Sequence, residues 1–302
     1  MTSSRRQALA TIAGLLAGAR LPGARASPLV AAAGLQTVRF DEIGQALATI
    51  EERAGGRLGV QVIGANGTPL FGQRTTERFP MCSTFKLLAA GLVLQRVDRG
   101  QERLERQVRY VATDLVSWSP VTEKHVGAGM TIGALCDAAL TLSDNTAANL
   151  LLASFGGPEA VTRFARSLGD DMTRLDRRET ALNEALPGDE RDTTTPAVMA
   201  RNVRTLLLGR TLSVASRERL LQAMRRNRTG DERLRAGLPP GSDVADKTGS
   251  GERGTTNDIG LVRLPGRAPV IVTVYLTGAT ANAAGRDTAI ADVARLVATH
   301  ER

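Results

Sequence analysis

Ser83-Thr84-Phe85-Lys86-Leu87-Leu88-Ala89-Ala90-Gly91-Leu92-Val93-Leu94 is the stretch on which the reading of this chain turns. Residues 85–97 form an apolar, helix-forming run, so a hydroxyl and an amine three residues apart stand at the head of a helix. Side chains at i and i+3 share one helix face, which brings Ser83 Oγ and the Lys86 amine together where the helix begins. A serine beside an amine is a candidate activated nucleophile. The ordinary alternative is that Ser83 caps the helix and Lys86 is a solvated first-turn cation.

Outward from that run the pattern stays helical over 131–140, 145–155, 158–168, 196–208 and 213–226. Gly156-Gly157 before Pro158 and Thr194-Thr195 before Pro196 mark two of the starts, each with Pro in a first helical turn. Residues 169–195 are irregular and rich in Asp, Arg, Pro and Gly, a length of connection that is usually functional or disordered. Nearer the N-terminus, Val38, Ile43, Leu47 and Ile50 give 37–53 a helical period. Alternation over 58–63, a turn at Ala65-Asn66-Gly67-Thr68 and a second run over 69–73 then predict a hairpin. Towards the C-terminus, strands are expected over 243–248, 258–264 and 270–277, and a closing helix over 289–300. Strands near both ends with helices between them predict an α+β protein, in which one antiparallel sheet is built from both termini and flanked by helices. The expected organisation is an α/β domain from 37–75 and 227–302, with residues 76–226 as a helical lobe that includes a loop at 177–192.

Composition narrows the chemistry. Of 39 basic residues only Lys86, Lys124 and Lys247 are lysine, so nearly every surface cation is written as Arg. Arg stays protonated in proteins, whereas a desolvated Lys can act as a base or proton shuttle, which sets Lys86 and Lys247 apart. Lys124, in the polar run Thr122-Glu123-Lys124-His125, has no such claim. The two histidines, His125 and His300, cannot supply a zinc site or an imidazole base, and no metal or cofactor is expected. No basic block interleaved with aromatics appears, so nucleic acid is not an expected partner.

Residues 1–26 read as an export signal: Ser4-Arg5-Arg6-Gln7-Ala8-Leu9 is a twin-arginine pattern, an apolar segment follows, and Ala24-Arg25-Ala26 offers a cleavage site. Its four arginines, unaccompanied by acids, account for half of the formal charge of +8. Residues 27–36 would be a flexible mature N-terminus. The apolar segment is too short for a membrane anchor, so an exported protein, periplasmic or secreted, is expected, and a monomer. Cys82 and Cys136 are not a disulfide framework, and Cys82 beside Ser83 reads as a buried packing residue.

Three further motifs stand beside Ser83 and Lys86: Ser143-Asp144-Asn145 at a helix start, Glu179 with Asn183 in the irregular loop, and Lys247-Thr248-Gly249-Ser250 at a strand end. In this order the set resembles the class A serine β-lactamases, whose signature combines S-x-x-K, S-D-N and K-T-G. The resemblance runs from about Thr37 to the C-terminus, and Arg177 with Asp192 matches the ion pair that pins that family's omega-shaped loop. It implies a β-lactam substrate that acylates Ser83. Backbone N–H groups of Ser83 and Ser250 would hold the oxyanion, the kind of donor worth about 100- to 1,000-fold in rate. Lys86, Ser143 and Lys247 would manage protons and charge, and Glu179 with Asn183 would direct the water that releases the product.

By the same resemblance Asn145 contacts the substrate amide, Thr248, Gly249, Ser250 and Arg233 line its carboxylate subsite, and Trp118 stands at the cleft mouth. For Arg233 a surface cation is the alternative, and for Trp118 a core position, although Ser117, Ser119 and Pro120 favour a loop. The family's common disulfide would pair Cys136 with the position of Ala90, and carbapenem-hydrolysing members pair the position of Cys82 with that of Gly251. Neither partner is cysteine, so two free thiols are expected and carbapenem turnover is not. Ser250-Gly251 and Gly254-Thr255-Thr256-Asn257-Asp258 are most similar to the extended-spectrum, cefotaxime-hydrolysing branch. The rivals are a penicillin-binding D,D-peptidase, which lacks a deacylating Glu in this loop, and a non-catalytic cell-wall binding domain.

Overall fold

Apolar positions at helical spacing close the first element, α1 (Pro28–Ala54), on the face that carries Leu47 and Ile50, both buried. This computed structural model describes residues 28–300, and their side chains from residue 41 onward. The twin-arginine pattern and cleavage site at residues 1–26 lie outside the described residues. Helix α1 begins at Pro28, within the expected N-terminal stretch 27–36: Pro28 suits a first helical turn, and Leu29-Val30-Ala31-Ala32-Ala33 is a run without a helix breaker.

The expected hairpin is β1 (Arg57–Gly64) and β2 (Pro69–Gln73), followed by the short β3 (Phe79–Pro80). Then come α2 (Phe85–Asp98), β4 (Gln107–Val108), β5 (Met130–Thr131), α3 (Ile132–Thr141), α4 (Asn145–Ser154) and α5 (Pro158–Ser167). After the irregular segment, β6 (Thr193–Thr194) pairs with β3, and α6 (Pro196–Leu208) and α7 (Val214–Arg225) follow. The chain ends in β7 (Asp243–Ser250), β8 (Thr256–Arg263), β9 (Val270–Thr277) and α8 (Ala283–His300). Helix α8 begins six residues before the expected start, because Ala283-Ala284-Gly285-Arg286-Asp287 carries helix without contributing apolar periodicity. The two-residue bridges β3–β6 and β4–β5 escaped the sequence reading, since two residues carry no period.

The sheet has the order β2-β1-β9-β8-β7, every neighbour antiparallel, so both ends of the chain build it as expected. Alternation along each strand sends successive side chains to two separate cores. Val60, Val62, Val272, Val274 and Leu276 pack with Leu47 and Ile50 of α1 and with Ile290, Val293 and Val297 of α8. Ile259, Leu261, Ile271 and Tyr275, on the opposite face, pack with Phe79 of β3 and with Phe85, Leu88, Met199 and Val203 of the helices. Truncating a fully buried leucine such as Leu88 to Ala costs about 2–5 kcal/mol. Strand β7 is one of the two edges, and its C-terminal end lies against the turn before α2. Gly249 permits that approach, because a Cβ there would stand 2.8 Å from Met81 O.

Candidate active site

Ser83 occupies a tight 3₁₀ turn, Cys82–Thr84, that leads into α2. The helix cap falls on Thr84 and makes no side-chain cap bond, so the capping alternative for Ser83 does not apply. Its Oγ instead accepts from Lys86 Nζ at 2.9 Å and donates to Glu179 Oε1 at 3.1 Å. Cys82, directly before it, holds φ +45° and Ser143 holds φ +56°, a region that costs a non-glycine residue about 1–3 kcal/mol and recurs at functional sites.

Ser143-Asp144-Asn145 divides its work by position. Asp144 caps α4 by accepting from Ala147 N at 2.8 Å, and also accepts the backbone N–H groups of Val121 and Thr122, each at 2.9 Å. It thus ties the helix to the loop before it and aims its two neighbours at Lys86. Lys86 Nζ donates to Asn145 Oδ1 at 2.6 Å and to Ser143 O at 2.8 Å, and lies 3.3 Å from Ser143 Oγ. The amide of Asn145 is held from its other side by Ser117 O at 2.8 Å.

Glu179 arrives on the loop expected at 177–192. Its Oε1 lies 2.9 Å from Lys86 Nζ with both side chains fully buried, and Asn183 Nδ2 donates to its Oε2 at 2.6 Å. Asn183 Oδ1 is buried with no hydrogen-bond partner among the described residues. Arg177 joins the loop ends, its Nε donating to Asp192 Oδ2 at 2.6 Å and its Nη1 to Glu184 Oε2 at 2.6 Å. Asn149, which the sequence reading missed, binds the Glu179 backbone twice: it accepts N–H at 3.0 Å and donates to the carbonyl at 2.9 Å. The signal was there, because Asn145 and Asn149 are i and i+4 on one helix face.

The edge strand β7 supplies the rest. Lys247 Nζ donates to Ser143 Oγ at 3.0 Å and to Thr248 O at 2.8 Å, so the Ser143 hydroxyl lies between the two lysines. Arg233 is no surface cation. Its Nε donates to Asp287 at 2.8 Å, Nη1 to Gly249 O at 3.0 Å and Asn257 O at 2.9 Å, and Nη2 to Ser250 Oγ at 2.8 Å. Trp118 stands on a loop, 61% exposed, and not in the core; its indole N–H donates to Leu142 O at 2.9 Å.

Burial governs the electrostatics. Both lysine ammonium groups are fully buried, and desolvation draws each below the ordinary lysine value. For Lys86 the Glu179 carboxylate pulls the other way; for Lys247, drawn well below, the Lys86 cation adds to the effect of burial. Two amines disposed to give up protons therefore flank two serine hydroxyls, a layout suited to proton transfer and acyl transfer. Lys124 and His125 are exposed. Cys82 and Cys136 are free and buried, and burial pushes both thiols up, that of Cys136 to about 12. Among the described residues no group of three or more His, Cys, Asp or Glu side chains is placed to hold a metal, and no helix is long and apolar enough to cross a membrane.

The motifs scattered over 165 residues of sequence between Ser83 and Lys247 thus converge on one hydrogen-bonded cluster. A family model described as the beta-lactamase enzyme family matches residues 42–300. The chain is 45% identical to beta-lactamase OXY-2 of Klebsiella oxytoca over 274 residues, 91% of this chain and 94% of that protein. It is likewise 45% identical to OXY-1 of the same organism, over 92% of this chain and 95% of the relative. Among solved structures, an ancestral class A beta-lactamase is 61% identical with a TM-score of 0.82, covering 84% of this chain and 97% of that one. A class A enzyme reconstructed as the last common ancestor of Gram-negative bacteria is 59% identical with a TM-score of 0.84, over 85% and 98% of the two chains. The chain belongs to the beta-lactamase enzyme family, class A.

Proposed function

We propose that the cluster opens β-lactam rings through a Ser83 acyl-enzyme that Glu179 releases with water. The chain is a serine β-lactamase and confers resistance by hydrolysis; the residue roles are our reading. The observation that carries them is the contact of Ser83 Oγ with both Lys86 and Glu179, at 2.9 and 3.1 Å. Either group can take the serine proton as Oγ attacks the lactam carbonyl, and the oxyanion forms against the backbone N–H groups of Ser83 and Ser250. Ser143, between Lys86 and Lys247, then passes a proton to the lactam nitrogen as the C–N bond breaks. For the second step Asn183 offers the buried, unpartnered Oδ1 as an acceptor for a water beside Glu179. That water attacks the ester and gives its proton to the carboxylate, and Ser83 leaves with a proton.

Asn145 reads the substrate amide, Thr248, Gly249, Ser250 and Arg233 its carboxylate, and Trp118 closes the cleft mouth. The segments Ser250-Gly251 and 254–258 support a spectrum that includes penicillins and cefotaxime-type cephalosporins. A Cβ at Gly251 would stand 2.6 Å from Cys82 Sγ, but without a thiol there no bridge braces the cleft, which supports a lack of carbapenem turnover. Residues 1–26 act as a twin-arginine export signal cleaved near Ala26, delivering a monomer outside the cytoplasm. The functional test is a chromogenic cephalosporin followed by intact mass. Multiple turnovers are expected. A stable adduct on Ser83 with no product released would favour a penicillin-binding D,D-peptidase, and neither adduct nor turnover would leave a non-catalytic binding domain.

A further inference from the structure

Thr248 and Ser250 flank the carboxylate subsite as two hydroxyls, but their hydrogen bonds run in different directions. The backbone N–H of Thr229, which can only donate, lies 3.1 Å from one amide atom of Asn227, so that atom is the oxygen. The amide nitrogen accordingly donates to Asp246 Oδ2. Asn227 Oδ1 can only accept, so the Thr229 hydroxyl, 2.8 Å from it, spends its single proton there. Thr229 Oγ1 also hydrogen-bonds Thr248 Oγ1, and with its proton committed it must be the acceptor. The Thr248 hydroxyl therefore donates backwards, along a chain that ends on Asp246.

Ser250 has the opposite polarity. Its Oγ accepts from Arg233 Nη2 at 2.8 Å, which leaves its own proton uncommitted. Of the five guanidinium N–H groups of Arg233, four are taken by Asp287, Gly249 O, Asn257 O and Ser250, so one N–H on Nη2 remains. We propose that Thr229 is a positioning residue that holds the Thr248 proton away from the cleft, so that Ser250 and Arg233 are the resident carboxylate donors and Thr248 joins only by breaking its bond to Thr229. This rests on the β-lactamase reading for its substrate, but the direction of the chain does not.

Thr229→Val keeps the backbone N–H that anchors Asn227 and removes the acceptor that Thr248 uses. KM for a penicillin should fall about three- to tenfold with kcat within about twofold, the range expected when a hydroxyl is freed for a charged acceptor. KM for the same penicillin as its carboxyl methyl ester should not move, Thr229→Ser should keep the parental KM, and Thr229→Val combined with Thr248→Val should lose the gain. An unchanged or higher KM for the acid, or an equal gain for the ester, overturns the proposal. Neutron diffraction of the deuterated parent reads the chain without any substrate. A deuteron on Thr248 pointing to Thr229 supports the proposal, and one on Thr229 pointing to Thr248 overturns it, whether or not the parent hydrolyses β-lactams.

Discussion

The two halves of the site are held by different means. Ser83, Lys86, Ser143 and Lys247 ride on a helix, a helix start and a sheet strand whose neighbours are buried core: Phe85, Leu88, Ala147 and Ile259 are all essentially inaccessible. Glu179 and Asn183 ride on a loop, with Leu182 as a local anchor, that is closed by the Arg177 bonds to Asp192 and Glu184 and by the two bonds of Asn149 to the Glu179 backbone. Core packing cannot be removed without unfolding the lobe, whereas a loop can be loosened while the rest stands. The half proposed to form the acyl-enzyme is thereby built into the fold, and the half proposed to release it is attached by a few polar contacts.

Substitutions that separate the halves should separate the chemical steps. The largest effect is Ser83→Ala, expected to remove adduct formation and to lower kcat by roughly a million-fold, as for other activated serines; an adduct still found by mass spectrometry would place the nucleophile elsewhere. Glu179→Ala should leave acylation measurable while turnover falls about 100- to 10,000-fold, with acyl-enzyme accumulating. Rapid turnover in that variant would take Glu179 out of the release step and erase the contrast between the halves.

Arg177→Ala tests how separable the loop is. It strands the buried Asp192 carboxylate, a loss of about 3 kcal/mol, moderated by the backbone N–H groups of Asp176 and Arg177 that Asp192 also accepts. Deacylation should slow about tenfold or more while acylation stays within a few-fold. Equal loss in both steps, seen by rapid quench, would mean that the loop and the core half act as one unit.

The smallest effect is a pH dependence on the core side. Lys247 in the fold sits well below the ordinary value of 10.5, so between its folded pKa and 10.5 the unfolded chain binds more protons. Stability from this group therefore rises with pH through that window, by at most about 1.4 kcal/mol per pH unit. In urea melts from about pH 7 to about pH 10, the stability advantage of Lys247→Met over the parent should shrink as pH rises. A gap that stays constant would mean the amine keeps its proton in the fold.

Periodicity made the helices and the five-stranded sheet legible, because each of those elements buries one repeating face. The scarcity of lysine was as informative: Lys86 and Lys247 turned out buried, and Lys124 exposed. Asn149 was overlooked although its i, i+4 spacing from Asn145 was readable, whereas Thr229 was not legible, since it acts through local bonds to Asn227 and one bond to a residue 19 positions away, which leave no pattern in sequence. The two-residue strand bridges and the early start of α8 were hidden for the related reason that they carry no apolar repeat.

By itself the sequence determined which groups this protein has available for its proposed chemistry: a serine three residues before a lysine, a second lysine at a strand end, and a loop acid followed by an amide. Only the tertiary structure decided that these groups meet within hydrogen-bonding distance, that both amines are buried, and that two neighbouring hydroxyls, Thr248 and Ser250, are given different partners in Thr229 and Arg233. The physical reason is that residue type sets which atoms can donate, accept or titrate. Long-range packing sets their partners and their dielectric surroundings, and these decide which of those capacities is spent and which is left for a substrate.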